Sequence, residues 1–254
     1  MSRTQPRVRA RTRTRVSLLG VVALLAVTSA SLAVADDGPG PLGVTAAAPA
    51  SAATARVGAI FRGGLSGGHF CTGSVVRSAG HDLVLTAAHC LDGGGDLVFV
   101  PGFRDGKAPY GVWRIGRTYV PGGWDGGDRD EDSDLAFARV EHKGGRGIQD
   151  LVGGNVFAPH RATGATAVTV TGYPKSGQAP VACTNKPTAH NPTQQRIECP
   201  DLTSGTSGSP WVNGNGQVVG VLGGHEEGGA TDDVSYSVVF GDEAACLYRA
   251  AEGG

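Results

Sequence analysis

From Arg56 onward, short apolar runs alternate with clusters of Gly, Asp and Pro, the pattern of strands joined by turns. Val57–Phe61, Phe70–Val76, Leu83–Thr86, Leu97–Val100, Val112–Val120 and Leu135–Val140 form one set of predicted strands. Ala167–Gly172, Pro180–Cys183, Gln195–Cys199, Gln217–Leu222 and Val234–Phe240 form a second, with a further strand beginning at Trp211-Val212. In the last run Val234, Tyr236, Val238 and Phe240 alternate with Ser235, Ser237 and Val239, the period of two expected of a half-buried strand. The Gly- and charge-rich stretches Gly122–Asp134 and Gly144–Gly147 read as surface loops. Asp242–Ala251 alone reads as helical, with Asp242 at its N-cap and Ala244, Leu247, Tyr248 and Ala251 on one face. The expectation is an all-β fold of two groups of about six strands, barrels or sandwiches, followed by a short C-terminal helix. The two lobes cover about 56–145 and 146–254.

The chain before Arg56 has a different texture. Residues 1–15 carry six Arg and no acid, Val16–Val27 is apolar except for Ser17 and Gly20, and Ala33-Val34-Ala35 precedes Asp36-Asp37. A basic start, a short apolar core and a small-x-small site predict a signal peptide over 1–35, cut after Ala35. The alternative, an uncleaved anchor, fits less well with the Ser and Thr content and the cleavage site. No Arg-Arg pair is present, which favours the general export route. Residues 36–55 are Gly, Pro, Ala, Ser and Thr with almost no large apolar side chain, so a flexible linker or propeptide is expected. The mature protein is then expected to be secreted, extracellular and free of the membrane.

Composition narrows the class. Gly and Pro make up 56 of 254 residues without a three-residue period, which excludes collagen. The net charge of −1 becomes −7 once the signal is removed, because basic residues fall from 22 to 16 against 23 acids. Such a chain has no basis for nucleic-acid binding.

Export permits disulfides, so Cys71, Cys90, Cys183, Cys199 and Cys246 are read as two pairs and a remainder. Cys71 and Cys90 flank two strands that could form a hairpin, and closing that loop would stabilise the fold by about 3 kcal/mol. Cys183 and Cys199 could pair around a polar loop, leaving Cys246 free and buried on the terminal helix. His69, Cys71, His89 and Cys90 are zinc-ligand types, but their spacing matches no common finger and no HExxH occurs. No metal or cofactor is expected.

Two segments carry candidate chemistry. Thr86-Ala87-Ala88-His89-Cys90 places a His at the end of a buried strand, and Gly205-Thr206-Ser207-Gly208-Ser209-Pro210 sets a Ser between glycines. Between them, Asp132-Ser133-Asp134 opens the strand Leu135–Val140. Singly, each has an ordinary structural reading. Together they resemble the trypsin-like (chymotrypsin-fold) serine proteases, with TAAHC around the base and GTSGSP where that family has GDSGGP. The resemblance spans 56–254 and, through Gly172-Tyr173-Pro174 and Ser207–Trp211, is strongest to the bacterial, glutamyl-endopeptidase-like branch. It implies two antiparallel β-barrels and a catalytic triad of His89, Asp134 and Ser207, in the chain order of that fold. The family often pins its His loop with a disulfide, as Cys71–Cys90 would.

A Ser hydroxyl is too weak an acid to attack an amide unaided, so an imidazole must take its proton and a carboxylate must hold the imidazole. Asp132 is the rival acid; Asp134 is preferred because it directly precedes an apolar strand. The N–H groups of Gly205 and Ser207 are the implied oxyanion hole. Thr206 stands where animal trypsins have an Asp that pairs with a new N-terminus, so activity is expected not to depend on a particular N-terminal cut. Ser209 replaces a Gly and is expected to be tolerated. Asp201 falls at trypsin's pocket-base position, while Leu222 stands where glutamyl endopeptidases have a His, which argues against strict Glu preference. Gly223 and Gly224 are expected to offer backbone to an extended peptide. The function implied is a monomeric serine endopeptidase acting on polypeptides. The alternative is a catalytically silent binding protein of the same fold.

Overall fold

The computed structural model describes Met1 and residues 41–125 and 129–253, so the expected signal peptide lies outside the described residues apart from Met1. Strand β1 is Thr45–Ala47. The next six strands are β2 (Val57–Arg62), β3 (His69–Val75), β4 (Leu83–Thr86), β5 (Leu97–Pro101), β6 (Trp113–Tyr119) and β7 (Ala136–Val140). They close into an antiparallel barrel in the order β2-β3-β4-β7-β6-β5. Its core is Ile60, Val75, Val84, Phe99, Trp113 and Ala138 with their neighbours. Closure leaves this sheet no free edge.

The second lobe contains β8 (Val156–Phe157), β9 (Val168–Gly172), β10 (Val181–Asn185), β11 (Thr188–Ala189), β12 (Gln194–Glu198), β13 (Pro210–Asn213), β14 (Gln217–Val221) and β15 (Val234–Val238). They hydrogen-bond as a six-stranded sheet, β1-β10-β9-β13-β14-β8, and a three-stranded sheet, β11-β12-β15. The β14–β8 pair is parallel. The lobe is thus a six-stranded and a three-stranded sheet, joined largely through side chains. Ser237 Oγ accepts from Val221 N at 2.9 Å and Gln195 Nε2 donates to Val219 O at 3.1 Å.

Those contacts invert the first half of the pattern read from β15, while Val238 and Phe240 stay buried. Ser235 and Ser237 are buried, while Val234 and Tyr236 are half exposed. A hydroxyl that both accepts from Val221 N and donates to Val238 O can be buried without loss, and its small volume leaves room for Gly220 and Trp211.

An apolar seam joins the lobes. Val76, Leu83, Leu85, Leu135 and Phe137 of the first pack against Phe157, Val218, Val221, Val238 and Phe240 of the second. The C-terminal helix, Asp242–Gly253, lies across it, with Tyr248 stacked on Phe157 at 4.8 Å and Ala244 and Ala251 buried. Ala245 N donates to Gly241 O, so Gly241 takes the cap position and Asp242 opens the first turn. Both expected disulfides are present, Cys71–Cys90 and Cys183–Cys199. Cys246 is free but exposed, a correction with a simple cause: it is two residues from Ala244, about 200° round the helix from the buried face.

The segment 41–55 also departs from expectation. It is no flexible linker where described. Strand β1 pairs antiparallel with β10, Gly43 N donates to Glu198 O at 2.8 Å and Ala48 N to Pro180 O at 2.9 Å. Thr45 Oγ1 donates to Pro200 O, and Arg104 of the first lobe reaches Ala48 O at 2.5 Å. Small residues suit a strand laid over a disulfide, so low apolar content conceals a structural role. A chain beginning at Arg56 should be less stable than one beginning at Asp36, on the order of 2–3 kcal/mol, because it lacks several hydrogen bonds worth about 1 kcal/mol each. Urea unfolding checks this, and equal midpoints would show that β1 contributes nothing.

Candidate active site

The β3–β4 hairpin carries His89. Strand β4 ends at Thr86, and the 3-10 turn Ala88–Leu91 lifts His89 off the barrel, with Cys90 bonded to Cys71 on β3. From the other side, the 3-10 turn Glu131–Ser133 brings Asp134 to the start of β7, fully buried. His89 Nδ1 lies 2.8 Å from Asp134 Oδ2. Two amides complete the carboxylate's shell: His89 N to Oδ1 at 3.1 Å and Gly224 N to Oδ2 at 2.7 Å. A buried carboxylate is tolerable when hydrogen-bonded in this way. Asp132 is exposed and accepts from Gln194 Nε2 instead, so the structure pairs Asp134 rather than Asp132 with the ring.

Facing a carboxylate, Nδ1 carries the ring proton and Nε2 keeps its lone pair. Burial opposes a charge on this ring, but the hydrogen bond and the charge of Asp134 outweigh it, with smaller contributions from Glu227 and Asp92. The imidazole pKa is therefore raised above its usual 6.5. Trp124 lies 6.5 Å from the His89 ring and is held by Asp92, which accepts from its Nε1 at 3.0 Å.

The segment Thr203–Ser209 is a tight turn braced by its own hydroxyls. Thr206 Oγ1 donates to Thr203 O at 2.8 Å and Ser209 Oγ to Thr206 O at 2.6 Å, both side chains buried. Gly205 (φ +98°) permits the turn, and a Cβ there would sit 2.6 Å from Lys175 N. Gly208 (φ +83°) lets the turn press on the hairpin, since a Cβ would collide with Thr72 O and Thr86 Oγ1. Ser207 is thereby held beside the Thr86–His89 segment. Its Oγ makes no hydrogen bond with the His89 ring, a looseness common before substrate binds. Among the described residues, neither Gly205 N nor Ser207 N has a protein acceptor.

Thr72, which sequence reasoning missed, binds the two lobes here. Its N donates to Ser207 O at 2.7 Å, its Oγ1 to Gly205 O at 3.0 Å, and the same oxygen accepts from Tyr173 N at 2.9 Å. A Thr following a Cys in a strand carries no signal of this task.

The remaining candidates fall elsewhere. Cys71, His89 and Cys90 cluster, but both sulfurs are in the disulfide, and His69 Nε2 lies 2.9 Å from Pro174 O. Asp201 lies on an exposed turn at φ +62°, with no ion pair among the described residues. Gly223 and Gly224 are buried and turn their N–H groups inward, to Tyr236 O and Asp134 Oδ2, which corrects the expectation that their backbone is open. Only their carbonyls remain for a peptide.

Residues 71–221 match the model of the trypsin-like peptidase domain. The chain belongs to the trypsin-like peptidases. Among solved structures, this peptidase is similar to the protease Anisep from Arthrobacter nicotinovorans, 28% identical with a TM-score of 0.71 over 83% of this chain and 100% of that one. It is 30% identical to the thermostable serine protease AL20 from an extremophilic microorganism, with a TM-score of 0.70 over 80% and 99% of the two chains. A Glu endopeptidase shares the fold at 19% identity, with a TM-score of 0.70 over 85% and 99%. Comparison with curated proteins gives no match.

His89 should titrate above 6.5 by NMR, and Asp134→Asn should lower its pKa by removing the charge that favours the imidazolium. An unchanged titration would contradict the pairing.

Proposed function

We propose that this peptidase is a secreted serine endopeptidase working through Ser207, His89 and Asp134. The observation that carries the reading is the buried Asp134 carboxylate on His89 Nδ1, which leaves Nε2 as a free base beside the Ser207 turn. Nε2 takes the Ser207 hydroxyl proton as Oγ bonds to the substrate carbonyl carbon. The oxyanion that forms is received by Gly205 N and Ser207 N, both unclaimed by acceptors among the described residues. Nε2–H then passes its proton to the leaving amine, the C–N bond breaks, and an acyl ester on Ser207 remains. A water, deprotonated by Nε2, attacks that ester; the C–Oγ bond breaks, Nε2–H returns its proton to Ser207 Oγ, and the acid leaves.

Self-bracing through Thr206 and Ser209 supports a turn ordered without an inserted N-terminal ammonium. Leu222 is buried and offers no charge to a glutamyl side chain, which speaks against strict Glu preference. Two disulfides suit an oxidising, extracellular destination. No helix among the described residues is long and apolar enough to cross a membrane.

Ser207→Ala, His89→Ala and Asp134→Asn should each lower kcat on a peptide substrate by about four orders of magnitude while leaving the fold intact. Full activity in folded Ser207→Ala would overturn the assignment. Hydrolysis absent from the wild type as well would favour a silent binding protein.

A further inference from the structure

The loop Asp130–Asp134 of the first lobe is tied to the second by more than the carboxylate of Asp134. Gln194, the first residue of β12, is 1% exposed and directs its carboxamide at this loop. Its Nε2 donates to Glu131 O and to Asp132 Oδ1, both at 2.8 Å. Two acceptors on that side fix which end of the amide is nitrogen. The opposite end, Oε1, abuts Gly224: a Cβ there would collide with it, and His225 N points at it from 3.5 Å. Gly224 N is the donor to Asp134 Oδ2. Glu131 adds a second tie, its Oε1 accepting from Glu226 N at 2.9 Å and its Oε2 lying 3.2 Å from His225 Nδ1.

One buried carboxamide therefore sets the spacing between the loop that bears the acid and the amide that binds it. We propose that Gln194 is a positioning residue for Asp134, and that Asp132 serves as its anchor. The proposal rests on the reading of His89 and Asp134 as the catalytic pair. It explains why two acids stand so close in the sequence: one orients the imidazole, the other holds the clamp. The charged groups that act on His89 are Asp134, Glu227 and Asp92, the last ion-paired with Arg129. Gln194 is neutral, so replacing it with Leu removes the carboxamide's three hydrogen bonds without changing any charge. A shift in His89 titration then reports geometry.

In Gln194→Leu, kcat should fall about 10- to 100-fold, the scale of a modest displacement of catalytic groups, with KM changing less. Asp134's hold on the ring raises the His89 pKa, so a looser hold lowers it. The acid limb of kcat/KM should therefore move to lower pH. Asp132→Leu should show the same changes, and Asp132→Asn, with the same charge but an Oδ1 acceptor retained, should recover much of the loss. Asp132 is exposed, so its variants carry the test should Gln194→Leu not fold. NMR titration of His89 in the Ser207→Ala background reads the clamp without any turnover, separating its failure from failure of the protease reading. Unchanged kcat and unchanged His89 titration in folded Gln194→Leu would overturn the proposal. So would equal losses in Asp132→Leu and Asp132→Asn.

Discussion

The arrangement depends on keeping one carboxylate ionised inside protein. Removed from water, Asp134 would cost several kcal/mol unless every lone pair facing protein found a donor. Its donors come from two places, the turn that carries His89 and the Gly224 amide of the second lobe. Satisfying that charge fixes where the lobes meet. The carboxylate is thus a constraint on assembly, whatever chemistry it joins.

The Thr203–Ser209 turn meets the same junction from the other side. Thr72, on β3 of the first barrel, holds Ser207 O and Gly205 O, which belong to the second lobe. Tyr173 N joins the same hydroxyl. Among the described residues, the backbone amides of Gly205 and Ser207 are left without protein acceptors. Unsatisfied donors at a braced turn are a store of binding energy for an anion. The apolar seam from Val76 to Phe240 and the helix stacked on Phe157 supply the rigidity that such positioning requires.

Much of this was legible in the sequence. Strong apolar runs such as Leu83–Thr86 and Leu135–Val140 gave strands within a residue of their observed ends, since burial on both faces leaves few alternatives. His89, Asp134 and Ser207 stood out in the sequence as candidates, and their flanking residues do structural work: Cys90 in a disulfide, Leu135 in the seam, Gly205 and Gly208 where no side chain fits. What escaped was made of small or polar residues whose partners are remote. Strand β1 is Thr-Ala-Ala, and only its pairing with β10 marks it as a strand. The inward serines of β15 follow from Val221, sixteen residues away. Gln194 and Thr72 act through hydrogen bonds across the lobes, and no local pattern announces a long-range bond. The backbone of Gly223 and Gly224 was misjudged for the same reason, since its partners, Tyr236 and Asp134, are set by tertiary structure.

The central claim is that a Ser hydroxyl, a free imidazole nitrogen and two unclaimed amides converge at the lobe junction. A crystal structure of the protein treated with a fluorophosphonate tests it most directly. The account predicts one adduct, on Ser207 Oγ, with a phosphonyl oxygen about 3 Å from both Gly205 N and Ser207 N. A protein that stays unlabelled, or an adduct whose oxygen points away from those amides, would contradict it.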